Sequence, residues 1–393
     1  MTVGSSLRSS WLPVVSLAFG TFALVTTEFL PIGLLSLIAN DFATSPGAAG
    51  ILVTTPGIVA AIAAPICTVA AGSIDRRLLL VGFTLLLVLS NLIVATSTTF
   101  EIAVAGRALL GVSVGGFWTF AAVVGRKLVE AQYGNRATSL VMTGISVGTV
   151  VGVPLGSALG GFLGWRLAFI AVAVLCFFVL LVQAAVLPKI VMPTSQSFKG
   201  LAGTFYDRPL VAALGAIALA AAGHFAAYTY LEPHLVHEVG AGPKALACML
   251  AIFGAAGIAG TFLGERVASR NPPGGTAIVA FTMAASILAS VYFSPSLLLE
   301  AAAVAVWGAA FGAIPVCVQL WTYAAGPDRF EASSALTVTI FQIALAAGSF
   351  GGGLVADAWG ISSAFVAAAA IATLCALLAG FVSVKTIDTM MEN

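Results

Sequence analysis

Apolar runs of about twenty or more residues, long enough to cross a bilayer core, follow one another along almost the whole chain and are broken only by short charged, Pro- or Gly-containing stretches. Read between those interruptions, they predict helical spans near 12–38, 48–71, 78–97, 101–124, 137–163 and 166–187. A second set follows near 209–231, 244–264, 274–293, 297–324, 332–356 and 359–384. The longest polar interruption, Pro188 to Arg208, holds no run able to span. It divides the chain into an N-terminal bundle of six helices (1–187), a cytoplasmic linker (188–208) and a C-terminal bundle of six (209–393). The pattern therefore predicts an all-α membrane protein of twelve transmembrane helices.

Composition narrows the class further. Apolar residues make up 60% and charged residues 8% of the chain, against roughly 25% charged in an ordinary soluble domain, so it cannot cover a soluble surface. A net charge of +1 with 16 dispersed Lys and Arg offers no basic field for nucleic acid. The first apolar stretch is too long for a signal-peptide core, contains Glu28 and runs straight into further spans, so it reads as an uncleaved first helix. Cys67, Cys176, Cys248, Cys317 and Cys375 stand singly in apolar runs, without metal-site or disulfide spacing. They read as packing residues.

Basic residues collect on the cytoplasmic side of a membrane. With the N-terminus inside, Arg8, Arg76, Arg77, Arg126, Lys127, Arg136, Lys189, Lys199, Arg208, Arg266, Arg270, Arg329 and Lys385 are all cytoplasmic, while Arg166 and Lys244 fall outside. Glu101, Glu232, Glu238, Glu300 and Asp357 lie at the outer span ends. Both termini are expected in the cytoplasm. The halves also match: Gly134-Asn135-Arg136 opens the fifth span and Pro327-Asp328-Arg329 the eleventh, each helix turning Gly-rich and ending near Trp165 or Trp359. Half-to-half similarity in one orientation is the mark of parallel-repeat transporters, whose substrate site lies between the halves near mid-membrane.

The fifth span carries Gly144, Gly148, Gly152, Gly156, Gly160 and Gly164, every fourth residue, with Pro154 among them. Such spacing makes a groove in which another backbone can approach closely, and Pro154 removes a backbone donor and predicts a bend. The core Gly152-Val153-Pro154-Leu155-Gly156 resembles the antiporter motif of major facilitator superfamily exporters. Thr26-Thr27-Glu28-Phe29-Leu30-Pro31 in the first span and Gly223-His224-Phe225 to Glu232-Pro233 in the seventh resemble bacterial drug, sugar and nucleoside efflux permeases of the drug:proton antiporter branch. Arg107-Ala108-Leu109-Leu110-Gly111 matches the superfamily's fourth-span arginine motif. The loop motif after the second span is only partly present, since Gly72-Ser73-Ile74-Asp75-Arg76-Arg77 runs directly into Leu78. The resemblance implies a cytoplasmic gate at Asp75 and Arg76, with Arg136 as a candidate partner; a plain topology anchor is the alternative.

Three polar side chains stand out inside the spans. Intramembrane carboxylates are rare and usually face a cavity or partner, and Glu28 lies about 15 Å below Ile38 at helical rise. Burial disfavours a charged carboxylate and a nearby cation favours it, so exchanging these environments loads and releases a proton. Glu28 is the candidate proton-coupling residue, with capping of a helix broken near Pro31 as the structural alternative. Arg107 keeps its charge in any protein environment; it tunes that carboxylate, binds substrate, or holds backbone carbonyls of a neighbouring helix. His224 aligns with Pro31 at the 193-residue offset and can titrate, bind a sugar or base, or satisfy a neighbouring helix. Tyr228, Phe117, Trp118, Gln319, Trp321, Phe341 and Gln342 are candidate cavity walls. With these residues, the resemblance implies a monomeric inner-membrane exporter in a bacterium, exchanging a small molecule (a sugar, nucleoside or drug-like compound) for protons by alternating access, with the proton gradient and no cofactor as its drive. An importer or facilitator of the same fold is the alternative. A channel or membrane-embedded enzyme is the rival of another class, although no phosphate-binding glycine loop, metal-ligating His-Glu pair or nucleophile elbow is present.

Overall fold

The computed structural model describes residues 11–72, 74–191, 207–293, 296–325 and 330–391. Arg8, Lys199, the Pro327-Asp328-Arg329 segment and residues 192–206 of the linker lie outside the described residues. Among those described the chain is helical throughout, with 12 helices long and apolar enough to cross a membrane. In the first half these are Leu12–Asp41, Pro46–Cys67, Arg76–Thr96, Phe100–Lys127, Arg136–Leu163 and Trp165–Val186. In the second they are Arg208–His237, Pro243–Ala268, Pro272–Tyr292, Leu297–Ala325, Leu336–Trp359 and Ile361–Ser383. An even number of crossings places Leu12 and Ser383 on one side, called here the terminal face; the other side is the opposite face.

The helices pack in matching pairs. Within the first half, span 1 lies on span 5 and span 6, span 2 on span 4, and span 3 on spans 4 and 6. The same pairs recur six helices later: span 7 lies on spans 11 and 12, span 8 on span 10, and span 9 on spans 10 and 12. Contacts between halves follow the same symmetry, span 2 against span 11 and span 5 against span 8. The buried apolar side chains accordingly form two cores. One gathers around Leu24, Leu87, Phe117 and Phe169 in the first half, the other around Phe225, Trp307, Ile314 and Phe365 in the second. Exposed Ile58, Ile62, Ile66, Phe177, Phe178, Leu181, Phe281 and Leu298 cover outer helix surfaces, as a protein solvated by lipid requires.

Small residues set the closest approaches. On the fifth span, a Cβ added at Gly144 would meet the Ala18 carbonyl and Phe22 nitrogen, one at Gly148 would meet Val25, and one at Gly152 would meet Thr26. Gly156 and Gly160 are filled by Leu30 and Leu34. These five glycines thus seat span 1, whereas Gly164, the sixth, faces no neighbour and ends the helix at a φ of +94°. Gly348 and Gly352 of span 11 receive the backbone of span 7 at Ala222 and Ala226 in the same way. The break expected at Pro154 takes the form of a widened π turn over Gly148–Gly152, in which the Val153 N–H bonds the Gly148 carbonyl. That added residue accommodates a proline that cannot donate.

Spans 1 and 7 are both broken. Span 1 runs as an α-helix to Phe29, tightens to a 3-10 turn over Leu30–Leu34 and resumes over Leu35–Asp41. Span 7 runs from Arg208 to Tyr228, turns at Thr229 and Tyr230, and resumes over Leu231–His237. The sequence pattern ends these two spans at 38 and 231, several residues short. Polar residues make both last turns resemble a span end; Asn40 and Asp41 of span 1 are exposed, whereas Glu232 and His234 of span 7 are buried.

Candidate functional site

Glu28 closes the first α-helical segment of span 1 and is buried, 5% exposed. Its Oε1 accepts a hydrogen bond at 3.3 Å from Nε2 of Gln342 on span 11, so the carboxyl group stands at the seam between halves. The next residue, Phe29, stacks on Phe225 of span 7 with ring centroids 5.7 Å apart. Gln342 Oε1 has no partner in this arrangement, leaving a buried acceptor directed into the seam.

Arg107 is fully buried, and its donors go to backbone. Nη1 donates to the Thr27 carbonyl at 2.7 Å, Nη2 to the Glu28 carbonyl at 2.6 Å and Nε to the Leu52 carbonyl at 2.6 Å. Two of these acceptors have an evident reason to need it. In an α-helix the carbonyl of Thr27 would accept from residue 31 and that of Leu52 from residue 56, yet both are prolines and have no N–H. Arg107 supplies the donors that Pro31 and Pro56 cannot, tying spans 1, 2 and 4 together at the level of Glu28. Of the readings the sequence left open, the one in which the arginine holds neighbouring backbone carbonyls is the one its hydrogen bonds describe.

His224 lies on span 7 inside a ring of aromatic side chains. Its Nδ1 accepts from Trp307 Nε1 at 3.1 Å, which fixes that nitrogen as an acceptor. Phe311 stacks on the imidazole at 3.4 Å and Tyr228 at 4.8 Å, with Phe253 behind Tyr228 at 4.6 Å. Phe225, which touches both His224 and Phe341, connects this cluster to Phe29 and so to the Glu28 seam.

The remaining candidates fall elsewhere. Phe117 is fully buried in the first-half core beside Gly20, and Trp118 packs against the same core. A Cβ at Gly20 would meet both Phe117 and Gln183, so that ring is filling helix packing and not a cavity wall. Gln319 is exposed and Trp321 is buried in the second-half core. Asp75 caps the third span, accepting from the Arg77 and Ile190 nitrogens. Arg76 bonds the carbonyls of Ala71, Gly72 and Ile74 and lies over the Phe120 ring. Arg136 instead lies over the Trp11 ring, 5.4 Å from its centroid, and lines a shallow recess with Ser139, Leu140 and Thr143. The three gate candidates thus serve their own half in this conformation.

Polar contacts across the halves cluster toward the opposite face. The Ser36 nitrogen donates to Glu232 Oε2 at 2.8 Å, and Ser36 Oγ meets His237 Nε2 at 3.2 Å. Ser45 Oγ and the Gly47 nitrogen donate to Asp357 at 2.6 and 2.9 Å. Glu232 and Glu300 are buried, at 2% and 0% exposure. Sequence position alone made them span-end carboxylates, because their burial depends on which helices cover them. The signal that would have found Glu232 is its place beside Pro233 in a helix resuming after a break.

Two repeated six-helix units, closed on one face around a buried carboxyl group at their seam, define a membrane transporter and not an enzyme. The sequence model of the Major Facilitator Superfamily matches residues 17–349, and the chain belongs to that family. It is 33% identical over 375 residues, 94% of each chain, to a protein named purine ribonucleoside efflux pump NepI from Escherichia coli O6:K15:H31. It is also 33% identical over 374 residues, 94% of this chain and 93% of the relative, to transcription regulatory protein OpdE of Pseudomonas aeruginosa. Among solved structures, a bacterial homologue of the human lysosomal transporter Spinster, inward-facing and occupied, has the same fold, with a TM-score of 0.77 at 15% identity over 98% of both chains. A D-xylose–proton symporter gives 0.70 at 16% identity over 95% of this chain and 96% of its own.

Proposed function

We propose that this protein is a bacterial inner-membrane efflux pump that exchanges a purine ribonucleoside for protons by alternating access, with Glu28 as the coupling carboxyl group. The observation that carries the reading is the Glu28–Gln342 contact. It places a protonatable group of one half against the other half, beside a helix break, where a rocking motion would change its surroundings. Loss of that contact as the halves part would exchange a dry partner for water, the change of environment that loads or releases a proton. Arg107 holds the backbone on either side of that carboxyl group and is assigned a positioning role.

The cargo reading rests on two supports. Related pumps carry the purine ribonucleoside name, and the Phe29, Phe225, Tyr228, Phe311 and Phe341 rings line up from the seam to His224, a setting suited to stacking a flat base. Residues 1–187 and 209–393 would act as the two rocking units within one monomer, drawing on the proton gradient without a cofactor. Both termini would be cytoplasmic by the distribution of basic residues. Closure on the opposite face would then correspond to an inward-facing state, and Asp75, Arg76 and Arg136 would exchange their present partners to engage when the cytoplasmic side shuts. A role of the kind OpdE's name describes has no comparable support, since the Lys and Arg residues are dispersed.

Purified protein in proteoliposomes, loaded with a pH gradient and presented with purine ribonucleosides, pyrimidine ribonucleosides, pentoses and antibiotics, tests the reading. Uphill movement of the purine compounds that collapses when the proton gradient is dissipated is the expected result. Flux that ignores the gradient would refute the coupling; preference for another panel member would refute the cargo.

A further inference from the structure

A second protonatable cluster lies away from Glu28, wholly within the second half at the opposite face. His234 is on the resumed helix of span 7, Glu238 directly follows that helix, and Glu300 is in the first turn of span 10. The imidazole stands between the two carboxyl groups: Nδ1 is 3.0 Å from Glu238 Oε2, and Nε2 is 3.6 Å from Glu300 Oε1. The side chains of His234 and Glu300 are fully buried, whereas that of Glu238 is 30% exposed and also accepts from Ser362 Oγ at 2.6 Å. Phe365 covers the imidazole face at 4.6 Å.

The polar accounting at this site does not close. Neither oxygen of Glu300 has a hydrogen-bond partner, and neither has His234 Nε2; at 3.6 Å the two residues are near but not bonded. A buried carboxylate without donors is expensive, while a carboxyl group that receives a proton carries no charge and can return it along the path it came. The surrounding charges do not supply a counter-ion. Asp41 on the facing end of span 1 is engaged by Arg166, Asp357 by Ser45 and Gly47, and Glu232 and His237 by Ser36. Lys244 at the start of span 8 is exposed, and the Tyr230 hydroxyl bonds the Ser349 carbonyl.

We propose that Glu238, His234 and Glu300 form a proton-binding relay, in which the imidazole passes a proton between the partly exposed Glu238 and the buried Glu300. In the loading step, protonated Glu238 gives its proton to Nδ1 while Nε2–H gives its own to the Glu300 carboxylate. The imidazole changes tautomer and stays neutral, Glu238 becomes a carboxylate, and one proton has moved inward. The reverse passage restores the first tautomer, so the relay loads and unloads from the opposite face alone. Its imidazole shares a seven-residue helix with Glu232 and His237, the residues that bond Ser36 across the halves. The relay does not depend on the role assigned to Glu28.

Infrared difference spectra of the full-length protein in detergent, recorded across a pH titration and after transfer to D2O, test it. A carboxyl C=O band that Glu300→Gln removes and Glu28→Gln leaves in place is expected. His234→Gln and Glu238→Gln should keep the band but slow its deuterium shift by about tenfold or more, equivalent to a barrier raised by about 1.4 kcal/mol. If Glu300→Gln does not fold, Glu300→Asp serves, because a shorter acid in the same pocket moves the band. A spectrum unchanged by every Glu300 variant, or a deuterium shift at the wild-type rate in His234→Gln, overturns the relay.

Discussion

Spans 1 and 7 are the same element built twice, and they differ in what stands at the break. Both start at the terminal face, lie on a glycine-lined partner, stop being α-helical at similar depth and resume for seven residues. In span 1 the break is held by a cation: Arg107 binds its carbonyls, and the neighbouring side chain is a carboxyl group. In span 7 the corresponding region is held by rings, with His224 bonded to Trp307 and stacked against Phe311. One scaffold thus presents a buried carboxyl group from one half and a flat aromatic surface from the other. Duplication supplies the geometry; substitution at the break divides the chemistry.

The comparison can be broken from the side of span 1 with the largest expected effect. Arg107→Ala leaves the Thr27 and Leu52 carbonyls without a donor where Pro31 and Pro56 offer none, and should destabilise the fold by about 3–5 kcal/mol. Thermal unfolding in detergent measures it. Arg107→Lys should recover only part of that loss, because one ammonium cannot reproduce the guanidinium fork. A melting curve unchanged in Arg107→Ala would contradict the surrogate-donor account.

The shared scaffold is next. Gly144→Leu and Gly348→Leu each push a side chain into the facing backbone of span 1 or span 7, and each should cost about 1–3 kcal/mol. Similar losses in both are expected if the two ridges are equivalent. Loss in only one would mean that the repeat is not mechanically symmetric.

On the span 7 side, His224→Ala removes the Trp307 hydrogen bond and opens the ring cluster. It should raise the KM for a purine ribonucleoside about tenfold, or about 1.4 kcal/mol, with the proton-to-substrate ratio unchanged. A changed ratio would move His224 into the coupling machinery. Smallest of all, Ser36→Ala deletes one hydroxyl link to His237 but keeps the backbone bond to Glu232. It should weaken closure of the opposite face by about 1 kcal/mol or less, seen as a larger open population by single-molecule energy transfer.

Much of this was legible in the sequence. Hydropathy gave the twelve spans because each had to be apolar over a fixed length whatever its neighbours, and six glycines in register announced a close helix contact. Which helix lay in the groove was not legible, since that depends on packing order, and span 1 is far from span 5 along the chain. The prolines at 31 and 56 already implied orphaned carbonyls at Thr27 and Leu52, and Arg107 was visible as a lone intramembrane cation; only the fold brings the three together. Phe117 looked like a cavity wall because an aromatic residue in a span can face core, cavity or lipid equally well. Glu232 and Glu300 were hidden for the opposite reason, a polar residue near a predicted helix end being the ordinary occupant of an interface.

The central claim is that Glu28 couples proton movement to cargo movement. It is tested most directly by Glu28→Gln in proteoliposomes, with uphill purine ribonucleoside transport and equilibrium exchange of the same compound measured side by side. The account predicts that gradient-driven accumulation disappears while exchange at equal pH persists. Uphill transport at the wild-type rate in that variant would contradict it.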